Sequence, residues 1–101
     1  MNQITRINKY EHILNESKNI LNKIDKYLCD YDNIQKEIKE LNKYYGSESW
    51  YQDVNSFDMK LLPKDIKVGI LSEDAIYNLL MNNKEIAIKM LELATEVLKK
   101  N

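Results

Sequence analysis

The side chains best equipped for chemistry are concentrated between Tyr44 and Tyr77. Asp53, Asp65, Glu73 and Asp74 lie in the same stretch as Trp50 and Tyr77. Carboxylates in that number can ligate a hard cation or serve as general acid and base. Their spacing matches no calcium loop, and HExxH, CxxC and phosphate-loop patterns are absent. Structural duties account for them more simply. Glu73 and Asp74 sit where a helix should begin, at the positive end of its dipole. Asp53 and Asp65 suit the capping of loop backbone groups. No metal or cofactor is expected.

Two other reactive side chains stand alone. Cys29 is the single cysteine, so no internal disulfide can form. A nucleophilic thiolate needs a base nearby, and none is evident in its sequence surroundings. His12 is the single histidine, with no cysteine at ligand spacing. Neither supports catalysis, and no enzymatic activity is expected.

The aromatic residues Tyr44, Tyr45, Trp50, Tyr51, Phe57 and Tyr77 crowd the same central stretch. Such rings can stack on a base or anchor a protein partner. They can equally fill the space where a short segment meets helix ends. Trp50 and Tyr51 are adjacent, and neighbours on a short helix cannot both point inward. One of the pair should face solvent or a partner.

These residues must be positioned by helices. The chain has 101 residues, of which 44% are hydrophobic and 31% charged, as expected of one soluble globular domain, residues 1–101. Its net charge is -1, with lysines and carboxylates interleaved. That disfavours a nucleic-acid duplex as partner, since duplex binders carry a basic face. No run is long and apolar enough for a membrane span, and a lone thiol suits a reducing compartment. A cytoplasmic protein of a bacterium, plasmid or phage is expected, the source being suggested by abundant Lys, Asn and Ile.

A long helix is predicted over about 2–43. Its apolar residues fall on three rows of one heptad frame: Ile7, Leu14, Leu21 and Leu28 on the first, with rows through Ile24 and Ile20 beside it. Three positions in seven is wider than a two-stranded seam, so more than one neighbour must cover this helix. The weakest point is Cys29–Asn33, where a break near Asp30 would give a three-helix monomer instead. Gly46 should end the helix in a left-handed turn. Ser47 or Ser49 can then cap a short helix ending at Asn55–Ser56, the Ser49–Gln52 pair having capping-box spacing. Pro63 should open a single helical turn, which Gly69 closes unless it permits a tight reversal instead. Ser72 should cap a last helix over about 73–99, its apolar phase unbroken across Asn82–Asn83.

Together these elements predict an all-α fold. Two long helices form an antiparallel hairpin, joined by a short helix and turn over 44–71, with Trp50, Phe57, Leu61 and Leu62 packed near Tyr44. Stripes this wide call for self-association into a bundle, most simply a homodimer.

The central runs Tyr44-Tyr45-Gly46-Ser47-Glu48 with Trp50 and Asp53, Leu62-Pro63 with Asp65, and Gly69 to Tyr77 with Leu79-Leu80 resemble the domain-of-unknown-function family 4298. Its members are small proteins of Gram-positive bacteria and their mobile elements. The resemblance covers nearly the whole chain. It implies an all-helical fold in a bacterial cytoplasm, and it implies no activity.

The expected function is therefore that of a non-enzymatic interaction protein. It binds a protein partner, or its own copy, through the central aromatic and acidic segment, with Trp50, Tyr51, Asp53, Asp65 and Tyr77 as the residues that folding leaves unexplained. The alternative is a small-ligand protein that sequesters a nucleotide-like molecule there, as an anti-defence factor of a phage or mobile element would.

Overall fold

A computed structural model describes residues 2–100, and among them every regular element is a helix. The order is α1 (Gln3–Tyr44), α2 (Glu48–Asp58), a 3-10 turn (Gly69–Leu71) and α3 (Glu73–Lys100). This is the expected all-α series of a long helix, a short helical connection and a second long helix. No helix among the described residues is long and apolar enough to cross a membrane. The chain divides into two compact units, Met1–Glu37 and Ile38–Asn101.

The first unit is the greater part of α1. Asn2 caps it, its side-chain oxygen accepting the Thr5 backbone N–H at 2.8 Å. The helix then passes Asp30 without a break, which removes the three-helix alternative. Asp30 and Asp32 are poor helix formers, but each lacks only a few tenths of a kcal/mol relative to good ones. One such pair does not interrupt a run without glycine or proline. No residue of α1 is buried. Ile7, Leu21 and Tyr27 are 52%, 64% and 63% exposed. What covers them locally is slight: Lys9 and Lys26 lie over the rings of Tyr10 and Tyr27 at 5.5 and 5.7 Å.

The second unit contains the turns. Gly46 adopts φ 77, and Ser47 N–H donates to Tyr44 O at 2.9 Å. Glycine is required there, because a side chain at that φ is strained even in open space. The turn fixes which serine caps α2. Ser47 Oγ accepts the Trp50 N–H at 3.2 Å, so the Ser49–Gln52 capping box is not used. α2 also runs past Asn55–Ser56 to Asp58. It ends in a Schellman motif: Lys60 N–H donates to Phe57 O and Leu61 N–H to Ser56 O. Lys60 takes the left-handed position, φ 59, where glycine is usual.

Pro63 does not open a helical turn. The chain makes a non-helical turn at Lys64–Asp65, and the helical turn lies later, at Gly69–Leu71. Gly69 has no left-handed φ and opens the 3-10 turn instead of closing one begun at Pro63. Ser72 Oγ accepts the Ala75 N–H at 3.4 Å and opens α3, which continues through Asn82–Asn83 as one helix. The core is small. Trp50 and Ile76 are the buried hydrophobic residues, at 5% and 2% exposure. Phe57 and Leu61, expected beside Trp50, remain exposed.

Candidate functional site

The Ser47 cap and the α2 register turn Trp50 inward. Its indole Nε1–H donates to Ile70 O at 3.0 Å, which ties α2 to the 3-10 turn ahead of α3. The indole thus has both a dry environment and a partner for its one donor. Tyr51, one residue on, points outward and is 62% exposed. The two rings meet edge to face at 5.0 Å. On the other side Tyr45 meets Trp50 edge to face at 5.4 Å.

Tyr45 is the centre of the resulting surface. Its phenol is pushed above the usual tyrosine range, first by desolvation and then by Glu73, Tyr51, Asp74 and Tyr77 around it. Tyr51 and Tyr77 present exposed rings, and Glu73 and Asp74 are exposed carboxylates. Neither carboxylate has an ion-pair partner among the described residues. The local sequence explains this. No lysine or arginine lies between Lys43 and Lys60, or between Lys67 and Lys84, whereas Glu48, Asp53, Asp58, Glu73 and Asp74 do. A chain whose net charge is only -1 thus gathers five acidic groups, with no cation, onto α2 and the start of α3.

Asp53 faces a different group. Tyr44 Oη donates to Asp53 Oδ2 at 2.5 Å, and the Tyr44 phenol is pushed up to about 12. The bond to Asp53 is the main cause, followed by desolvation and the charge of Asp53. This pair borders a shallow cleft of about 230 Å³ that also involves Ile66, Lys67 and Leu71. Asp65 is exposed on its turn, and among the described residues no hydrogen bond or ion pair joins it to another.

The five residues singled out from sequence therefore separate. Tyr51 and Tyr77 share the surface around Tyr45, Trp50 supports it from beneath, Asp53 pairs with Tyr44, and Asp65 stands apart. Tyr45, Glu73 and Asp74 were not among the five. The long lysine-free intervals are the sequence signal that points to them. Among the described residues no three His, Cys, Asp or Glu side chains are grouped to hold a metal ion.

No curated protein and no solved structure matches this chain. The sequence model of one family matches residues 7–93, a span that includes α2, the 3-10 turn and the tyrosine surface. The chain belongs to that family, described as Domain of unknown function (DUF4298).

Proposed function

We propose that this protein is a non-enzymatic helical interaction module that holds a basic segment of a partner protein. The observation that carries the proposal is the surface around Tyr45: the exposed rings of Tyr51 and Tyr77, Tyr51 set edge to face on the buried Trp50, beside Glu73 and Asp74, with no cation among them. Aromatic faces attract lysine and arginine through their quadrupole, and neighbouring carboxylates add charge pairing. Such a surface needs no bound cofactor to work. The setting that suits it is a bacterial or phage-infected cytoplasm, where an exposed lone thiol such as Cys29 stays reduced.

A nucleotide-sequestering role has less support. The cleft beside Tyr44 and Asp53 is about 230 Å³, smaller than the roughly 300–1,000 Å³ of ordinary ligand sites.

The test is affinity capture from a bacterial lysate with the native protein and with a Tyr51→Ala/Tyr77→Ala variant. Both tyrosines are exposed, so the variant keeps Trp50 and Ile76 in place. Recovery of a partner through a lysine- or arginine-rich segment is expected to fall at least about tenfold, the loss of one or two aromatic contacts. A partner retained in full by the variant sinks the proposal.

A further inference from the structure

The tyrosine surface does not account for the apolar face of α1. Ten side chains on its three rows, from Ile7 to Ile34, are each between 43% and 64% exposed. Together they offer on the order of 1,000 Å² of surface, or about 2,000 Å² from two copies, which is the size of an obligate homodimer interface. A helix with no buried residue lacks the packing of an apolar face from which most helical stability in proteins comes.

The charges beside the stripe say what covers it. With Ile7 as position a, the row at position e reads Glu11, Lys18, Asp25, Asp32, Lys39. In an antiparallel pair, e faces e and g faces g of the other helix. Centring the two-fold at Asp25 sets Glu11 opposite Lys39 and Lys18 opposite Asp32, with Asp25 meeting its own copy. The same register stacks Leu28 on Ile24 and Leu21 on Tyr31 in the seam. On the other flank it sets Ile20 against Ile34. Sliding by one heptad in one direction pairs Lys18 with Asp25 but brings Glu11 to Asp32 and leaves Lys39 without a charged mate. Sliding in the other brings Lys18 to Lys39 and Asp25 to Asp32. A parallel pair would set this charged row against the apolar g row.

We infer that α1 pairs antiparallel with α1 of a second copy of this chain, across a two-fold axis beside Asp25. The self-complementary row selects a second copy over an unrelated helix, because an isologous interface requires each residue to meet its mate twice.

Site-directed cross-linking in the full chain tests orientation and register together. In a Cys29→Ser background, Asp25→Cys is expected to oxidise to a disulfide-linked dimer of twice 12.0 kDa. Glu11→Cys should not link to itself, but should link to Lys39→Cys when the two variants are mixed. Sedimentation adds an energetic readout. Lys18→Glu should weaken dimerisation about tenfold, because two like-charged pairs appear at once, and Lys18→Glu/Asp32→Lys should restore it. A 12.0 kDa monomer at micromolar concentration overturns the inference. Self-linking of Glu11→Cys as efficient as that of Asp25→Cys, the parallel outcome, does so as well.

Discussion

Trp50 and Leu21 are both large apolar side chains on regular α-helix, yet one is 5% and the other 64% exposed. What separates them is turns. Around Trp50 the chain reverses at Gly46, Lys60 and Lys64–Asp65, and each reversal returns backbone to the α2 neighbourhood. Ile70 can then offer its carbonyl to the indole. Around Leu21 nothing reverses: α1 runs straight on in sequence through more than thirty residues without glycine or proline. A turn-rich segment can bury a side chain against its own chain, whereas an uninterrupted helix has to find another surface. The second region thus supplies its own core, and the first leaves its apolar side chains exposed.

The largest effect that would break this contrast is truncation of Trp50. Trp50→Ala should destabilise the 38–101 unit by about 3–5 kcal/mol, the usual loss for a buried tryptophan. Trp50→Phe keeps most of the burial but loses the bond to Ile70, and should cost about 1–2 kcal/mol. Urea denaturation followed by circular dichroism measures both. A loss under about 1 kcal/mol for Trp50→Ala would mean that this unit has no more core of its own than α1 does.

A smaller effect sharpens the account of the turns. Lys60 closes the Schellman motif at φ 59 with a side chain that disfavours that conformation. Lys60→Gly removes the strain, although it loosens the unfolded chain. The net expectation is a gain of about 0.5–1 kcal/mol, seen as a higher denaturation midpoint. Gly46→Ala should move the other way by a similar amount, since φ 77 admits no Cβ without strain. If Lys60→Gly destabilises instead, the lysine side chain contributes contacts that outweigh its backbone.

These positions also show how far the sequence could be read. Gly46, Ser72 and the unbroken phase of α3 were legible because each is a local signal with one physical cause. The outward turn of Tyr51 was legible because adjacent helical residues diverge. Lys60 was not, because nothing in a lysine announces a left-handed turn. The choice between Ser47 and Ser49 depended on the turn geometry at Gly46. The meeting of Tyr45 with Glu73 and Asp74 crosses nearly thirty residues and depends on how the intervening turns fold. Only the missing lysines on either side hinted at it. Asp53 looked available for chemistry until its partner, Tyr44, could be seen one turn-and-helix away.

That Tyr44–Asp53 pair gives the smallest and most specific expectation, because it joins the end of α1 to α2 by a single exposed bond. The bond stabilises the protonated phenol, so the folded-state value rises from 10.0 to about 12. A group raised on folding contributes stability below its unfolded value and loses it as pH climbs through the folded one. Stability should therefore be flat with respect to this group up to about pH 10 and decline between about pH 10 and 12. Tyr44→Phe removes the hydroxyl, and with it that part of the alkaline decline. At neutral pH the variant should lose no more than about 1 kcal/mol, since the pair is open to solvent and a net hydrogen bond is modest. Denaturation midpoints of both proteins across the alkaline range measure the difference. Parallel declines would show that Tyr44 titrates without Asp53, and that α1 and α2 are joined by the Gly46 turn and the Tyr45–Trp50 contact alone.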